Sequence, residues 1–363
     1  MYVIGKTGTG KSTLFETLIR QDIARGSGFA LIDPHGDLAD RVHAAALSSH
    51  RSDVIHVNVA DPDQPFGYNP LRHVRSDRRP LAASGMLEVF RKMWPDAWGA
   101  RMEHILRYAL LALLDYPPAT MSDILTLLTD KPFRHTVIGH LQNEQVRQFW
   151  RDEFREYSPR YRQDSIAPIQ NKVGAFLADP RLKRFLTEPE QALRFRAIMD
   201  GSQALIINLA KGRLGEDSSN LLGGLLVTTL GLAAFSRADT PEADRHPFIV
   251  YVDEFQNFTT LAVANMLAEL RKYQVGTVLA HQYLDEIEPE VRHAVPGNAG
   301  TLISFRLGGE DAPHIERELA PQFQANDLVA LPNHEIYLRL MIDGAPSRPF
   351  SAATITPEDL KAA

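Results

Sequence analysis

Met1-Tyr2-Val3-Ile4-Gly5-Lys6-Thr7-Gly8-Thr9-Gly10-Lys11-Ser12 opens as an apolar, β-prone run, breaks into glycines, and continues from Thr13 to Arg25 as a helix-like stretch. The spacing is G-x-x-x-x-G-K-S in a strand-loop-helix setting. Glycines let such a loop wrap until its N–H groups face phosphate oxygens, and the helix start adds partial positive charge. Lys11 is then placed to bridge β- and γ-phosphates and Ser12 to ligate magnesium. Gly5, Thr7, Gly8, Thr9, Gly10 and Thr13 complete the expected nucleotide-binding set.

A strand carrying this loop is normally central in its sheet. A chain that begins so close to the loop therefore predicts a further segment before Met1, which reads as an internal methionine. Downstream, Gly28 to Asp33 (GFALID) predicts a second buried strand ending in an acid, and Asp53 to Asn58 (DVIHVN) a third. Short apolar strands alternating with amphipathic helices predict a parallel sheet covered on both faces, an α/β fold. From about Leu81 to Met199 period-two alternation disappears. Helical stretches at 102–114, 121–128, 146–157 and 166–177 are broken at Pro117-Pro118, Pro159 and Pro180.

The α/β pattern then returns with strands expected at 204–208, 248–253, 275–280, 301–306 and 336–342. Seven or eight strands suit a RecA-like P-loop core with an all-α insertion. The domain reading is core 1–80, helical insertion 81–200 and core 201–363.

The second decisive stretch is Phe248-Ile249-Val250-Tyr251-Val252-Asp253-Glu254, an apolar strand ending in two acids. Asp253 suits outer-shell coordination of magnesium. Glu254, one residue on, can aim a carboxylate at water attacking a γ-phosphate. Small-molecule kinases have no need of that second acid, because their acceptor is not water, so hydrolysis of ATP is favoured. Gln282, at the tip of the next expected strand, is an amide placed to sense the γ-phosphate, whereas His281 reads as structural. A GTPase is disfavoured: Asn171-Lys172-Val173-Gly174 has Gly where a carboxylate must read guanine, and it falls inside the helical insertion.

Composition agrees with an ordinary globular chain. It has 363 residues, 44% hydrophobic and 23% charged, and no cysteine, which excludes disulfides and thiolate metal sites. Residues 1–200 carry 27 Lys+Arg against 24 Asp+Glu and residues 201–363 carry 12 against 21, so no uniformly basic nucleic-acid surface is present. The uncharged apolar run Leu221 to Phe235 is shorter than the roughly 20 residues a membrane span needs and reads as a buried helix, so a soluble chain is expected.

Several segments together resemble the HerA/FtsK superfamily, and within it the TraG/TraD-type coupling ATPases of type IV secretion. These are MYVIGKTGTGKST, ALIDPHGDLA, FGYNPL, YVDEFQNF, ELRKYQVGTVLAHQ and GNAGTLISFRLGGEDA, in that order and nearly end to end. The resemblance implies a ring hexamer that moves DNA through a central channel, with secretion or relaxosome proteins as further partners of the helical domain. It also implies that Asp33 is the second-strand acid near the nucleotide, that Lys11 with Ser12 and Asp253 with Glu254 are the Walker A and B pairs, and that Gln282 is the sensor. Arg271 and Arg306 fall where such proteins place arginines facing a neighbouring subunit. The membrane or barrel region of these ATPases has no counterpart here. The location implied is cytoplasmic, at the inner face of the inner membrane if a missing N-terminal segment anchors the chain. The insertion, with 17 Lys+Arg against 15 Asp+Glu over 81–200, carries no charge signature for DNA. DNA is therefore implied by resemblance, whereas ATP hydrolysis is read from residues. The rival expectations are a protein-exporting ATPase of the same superfamily and a nucleotide-gated scaffold with little turnover.

Overall fold

Tyr2, Val3 and Ile4 are all fully buried, and they form an interior strand of the main sheet. The computed structural model describes residues 1–72, 74–187 and 190–359. In chain order its strands are β1 (Tyr2–Ile4), β2 (Gly28–Asp33), β3 (Val54–Asn58), β4 (Phe66–Gly67), β5 (Gln191–Ala192), β6 (Ala204–Asn208), β7 (Phe248–Val252), β8 (Val275–His281), β9 (Leu302–Ser304), β10 (Glu335–Arg339), β11 (Met341–Ile342), β12 (Ala345–Pro346) and β13 (Phe350–Ala353). Nine of them make one sheet in the order β13-β10-β9-β1-β8-β7-β2-β6-β3. All neighbours are parallel except β10, which runs antiparallel to both β9 and β13. The fold is α/β with a P-loop core, as the alternation of apolar strands and helices predicts.

Parallel strands are covered on both faces, so they are written as continuous apolar runs. Every residue of β2 (GFALID) and of β6 (ALIIN) is buried, the two acidic or amide ends included. Two helices lie beside the first strands, α1 (Lys11–Arg25) and α2 (Asp37–Ser48). Phe15, Ile19 and Ile23 of α1 and Leu38, Val42 and Ala46 of α2 are buried in one cluster with Phe29 and Leu31 of β2. α1 ends at Gly26, whose φ of 66° closes the last turn through N–H bonds to Asp22 and Ile23 carbonyls.

The sheet departs from expectation at its edge. The stretch 336–342 divides into β10 and the small β11–β12 pair, and β13 adds a final strand that sequence patterning had not supplied. Phe350-Ser351-Ala352-Ala353 is mostly exposed, so it lacks the alternation that marks a half-buried strand.

Two compact units emerge. The first comprises Met1–Asn58, Phe195–Arg213 and Ala233–Ala363, and the second Val59–Arg194 and Leu214–Leu232. The boundaries thus lie at Asn58/Val59 and Arg194/Phe195 rather than at 80/81 and 200/201. β4 pairs with β5, and Tyr68 donates its N–H to Phe185, which ties the segment after β3 to the helical region. Most of the apolar helix Glu216–Ser236 also belongs to the second unit, where Gly85 lets its helix approach Thr228: an added Cβ would meet the Thr228 methyl at 2.6 Å.

That helix, with its extension Glu216–Asp239, is 24 residues long and apolar enough to cross a membrane by length and composition. This corrects the shorter span read from the uncharged run, because the helix continues through Glu216, Asp217 and Arg237. Two-thirds of its apolar window is buried inside the protein.

The second unit is otherwise helical, with long helices at Arg79–Met93, Ala100–Asp115 and Pro159–Leu177. Pro159 sits in the first turn of its helix, where a missing N–H costs nothing, and Ser158 caps that turn through Tyr161 N–H. Five residues, Phe149–Glu153, are wound as a π-helix. There Trp150 and Phe154 pack at 4.7 Å, Phe149 stacks on Tyr108 at 4.1 Å, and Arg134 and Arg162 lie 4.9 and 5.1 Å from the Phe154 ring.

Candidate active site

The ends of β1, β2, β7 and β8 at the carboxyl edge of the main sheet each deliver one part of the site. The loop Gly5–Gly10 leaves β1 and enters α1. It is anchored on both flanks, Gly5 N–H donating to the His281 carbonyl at 3.4 Å and Lys6 N–H to the Arg306 carbonyl at 2.9 Å. Thr9, fully buried, braces the turn by donating its hydroxyl to the Lys6 carbonyl at 2.7 Å. Gly8 at φ 75° and Gly10 at φ 121° occupy backbone regions that side chains disfavour. Gly10 precedes α1 and, having no side chain, leaves the helix's first amides without a side-chain cap. Lys11 folds back, Nζ donating to the Gly5 carbonyl at 2.6 Å and the Lys6 carbonyl at 3.3 Å. Ser12 and Thr13 lie half-buried in the first turn.

β2 and β7 are neighbours, and their ends place Asp33 beside Asp253, whose N–H donates to the Ile32 carbonyl at 3.2 Å. Both Asp33 oxygens are used locally: one accepts His35 N–H and the other Ala39 N–H, each at 2.9 Å, so this buried carboxylate fastens the start of α2. Asp253 accepts Glu254 N–H at 3.1 Å. Its carboxyl is pushed up to about 7, first by burial and then by the charges of Glu254 and Asp33, against which Lys11 acts. Burial likewise pulls the Lys11 ammonium down, opposed by Glu254, Asp253 and Glu286. Three carboxylates, Asp253, Glu254 and Glu286, act on the one lysine, and Asp33 adds its charge beside Asp253, so the site is short of positive charge.

Glu254 is the focus. Its backbone is left-handed, φ 48° and ψ 48°, a conformation that costs a non-glycine residue on the order of 1–3 kcal/mol and persists only where surroundings impose it. The side chain is buried and held from two sides. Gln282 Nε2 donates to Oε1 at 2.6 Å, and Gln256 Nε2 donates to Oε2 at 2.7 Å and to Glu286 Oε2 at 2.8 Å. The Gln282 carbonyl in turn accepts the Thr7 hydroxyl. A continuous chain therefore runs from the phosphate-binding loop through Thr7 and Gln282 to Glu254, and on through Gln256 to Glu286. Burial, together with the Glu254 charge, raises the Glu286 carboxyl.

His281 stands beneath, fully buried, with its Nδ1–H donating to the Tyr283 carbonyl at 3.2 Å and its Nε2 accepting the Tyr2 hydroxyl at 2.5 Å. It stacks on Tyr2 and meets Phe255 edge-on. Burial lowers it to about 3, leaving a neutral imidazole.

The structure thus brings Lys11, Asp33, Asp253, Glu254, Gln282 and the loop residues to one edge of the sheet. Arg271 is elsewhere: it precedes β8, at the end of that strand opposite Gln282, and is exposed with no side-chain ion pair among the described residues. The Arg306 guanidinium is held by Asn333 Oδ1 at 2.8 Å and the Leu331 carbonyl at 3.4 Å, while its carbonyl supports the loop. Gln256 and Glu286 are participants that sequence reading left without a role. Gln256 lay in view within DEFQNF, but Glu286 had no signal, since only the turn after β8 brings it within reach.

Asp253 and Ser12 are the residues of this edge whose oxygens could be offered to a magnesium ion. Among the described residues no three His, Asp or Glu side chains form a ligand cluster. Magnesium commonly takes one or two carboxylates with phosphate oxygens and water, and a carboxyl crowded by like charges, such as Asp253, is chemically suited to that role.

The family model described as the central domain of the helicase HerA matches residues 1–228. No curated protein matches the sequence. Among solved structures, the bacterial conjugative coupling protein TrwBdeltaN70 in its unbound monoclinic form superposes with a TM-score of 0.70 at 15% identity, covering 98% of this chain and 84% of that one. TrwB in complex with ADP and Mg2+ gives 0.66 at 17% identity, with 98% and 85% covered. VirB4 of Thermoanaerobacter pseudethanolicus gives 0.64 at 14% identity, with 99% and 90% covered. At these identities the likeness is one of fold.

Proposed function

Since the chain belongs to the family of the HerA helicase central domain, we propose that it is a magnesium-dependent ATP hydrolase that drives or couples DNA movement, assembled as a ring. The observation that carries the hydrolase is the bond from Gln282, itself tied to Thr7 of the loop, onto Glu254. A carboxylate that accepts a proton from attacking water must sit at hydrogen-bond reach of that water, and its position must answer to the nucleotide. Here both Glu254 oxygens accept amide N–H groups. One amide has to yield before Glu254 takes a proton from water, and Gln282 is the one connected to the loop.

Lys11 binds the β- and γ-phosphates in this reading, leaving its present carbonyl partners, and the loop amides hold the remaining oxygens. Ser12 and Asp253 would hold magnesium, which when bound neutralises phosphate charge. DNA as the moved polymer is supported by the family and by the fold shared with coupling proteins. A cytoplasmic site of action goes with it. Arg271, exposed at the far end of β8, and Arg306 are the arginines offered to a neighbouring subunit. A head-to-tail ring would bring one of them to the next nucleotide.

The test is ATP turnover with and without single- or double-stranded DNA. Strong stimulation is expected, and a rate indifferent to both would overturn the DNA assignment in favour of a protein-exporting motor. Mixing Arg271→Ala subunits with Glu254→Gln subunits should restore part of the lost turnover if Arg271 acts in trans.

A further inference from the structure

The two oxygens of Glu254 have unlike partners. Oε1 accepts the Gln282 amide, which answers through Thr7 to the phosphate-binding loop. Oε2 accepts the Gln256 amide at 2.7 Å, and the same Gln256 Nε2 donates to Glu286 Oε2 at 2.8 Å. The two hydrogens of one amide are thus shared between two carboxylates. An amide engaged in this way gives up both bonds together if it turns, whereas one with a single partner is free to turn toward water.

Both ends of the bridge stand on fixed backbone. Gln256, 8% exposed, lies in the short turn Phe255–Asn257 that follows Glu254 directly. Phe255 is fully buried, meets Tyr2 and His281 edge-on at 6.3 and 5.1 Å, and accepts the Thr259 hydroxyl at its carbonyl at 2.8 Å. On the other side, Glu286 closes the turn Leu284–Glu286 after β8. Leu284 and Ile287 are buried, Leu284 N–H donates to Asp311 Oδ1 at 3.1 Å, and Arg292 clasps Asp285 at 3.0 Å. Glu286 itself is exposed, so the core does not require it. Burial of its carboxyl and the Glu254 charge both raise it, so the contact between the two carboxylates works against folding. A like-charge contact kept in place on two pinned turns suits a site arranged for chemistry.

We infer that Gln256 and Glu286 are positioning residues for the hydrolytic base: Glu286 holds Gln256, and Gln256 holds Oε2 of Glu254 while Oε1 is given up by Gln282. The water oxygen then bonds to the γ-phosphorus as the bond to the ADP oxygen breaks, and the water proton passes to Oε1. A carboxylate pinned at one oxygen and open at the other keeps a single orientation toward that water. This rests on the nucleotide-hydrolase reading and deepens it by separating the oxygen that is held from the oxygen that reacts.

The experiment is steady-state ATP turnover by the full chain, with kcat and KM read separately and melting temperatures taken alongside. Gln256→Leu, which keeps the bulk and loses the donor, should lower kcat about tenfold or more with KM within about twofold, since a base displaced by ~1 Å can cost 10²-fold. Glu286→Ala, at an exposed position where folding is not at risk, should lower kcat about fivefold, the scale of one lost hydrogen bond. Glu286→Gln, whose amide carbonyl still accepts the Gln256 N–H, should recover most of that loss. The double variant should be no slower than Gln256→Leu alone, and in a Glu254→Gln background neither change should lower the residual turnover further. Losses that multiply in the double variant, that persist without Glu254, or that appear in KM alone would overturn the proposal, as would an unchanged kcat. Normal turnover in Glu254→Gln by itself would instead sink the reading of Glu254 as the base.

Discussion

The carboxyl edge of the main sheet and the π-helical region of the second unit are both dense, and they are dense in opposite ways. At the sheet edge, buried polar groups meet in a chain of amides and carboxylates with a strained residue at its centre. Around Phe149–Tyr161, aromatic rings pack on one another and arginine planes lie over Phe154, while nearby ion pairs such as Arg107 with Glu103 stay partly open to water. The first arrangement is costly for stability and repays only if its groups do chemistry. The second gains from area and dispersion, and it holds shape. Changes at the edge should therefore alter turnover more than folding, and changes in the aromatic cluster the reverse.

The largest test of that contrast is Glu254→Gln. Loss of a positioned general base is expected to lower kcat by on the order of 10²- to 10⁴-fold while ATP still binds and the melting temperature holds, as followed by phosphate release and thermal unfolding. Normal turnover would remove Glu254 as the base. On the other side, Phe154→Ala removes a buried ring and should cost about 3–5 kcal/mol in chemical denaturation, with hydrolysis per folded molecule little affected. A kcat defect without a stability defect there would break the comparison.

A sharper case lies at the boundary between the two behaviours. His281 is buried and neutral, lowered from 6.5 to about 3. In that window the unfolded chain binds a proton that the native state refuses, so stability falls as pH drops below about 6.5. His281→Gln removes the titration. Relative to that variant, the native protein should lose about 2 kcal/mol between pH 7 and pH 5 in denaturant titrations, and a constant difference would contradict a neutral buried imidazole. The smallest effect is expected for Arg107→Ala. It breaks a one-turn helix pair of which 39% and 33% of the side chains are exposed, and it should shift stability by less than about 1 kcal/mol, decreasing with added salt.

Much of the edge was legible before any coordinates. The loop, the acid pair and Gln282 are each contiguous or strand-terminal features, and buried parallel strands announce themselves as apolar runs. The unit boundaries were not, because Phe66-Gly67 and Gln191-Ala192 form a pair too short to leave a pattern. Nor was Asp33's use as an anchor for α2, since an acid at a strand end reads the same whether it faces a ligand or an amide.

By itself the sequence determined the class of fold and the phosphate-holding turn, for both depend on local backbone freedom and on runs of residue type. It also named the acids and the amide that the strand ends would carry. Only the tertiary structure decided how they meet. Thr7 and Gln282 are 275 positions apart, Glu254 turns toward Gln282 through a left-handed residue, and Glu286 meets Gln256 because β8 lies beside β7. Such meetings are fixed by strand order and register, which depend on all the packed elements at once and are written in no single stretch of the chain.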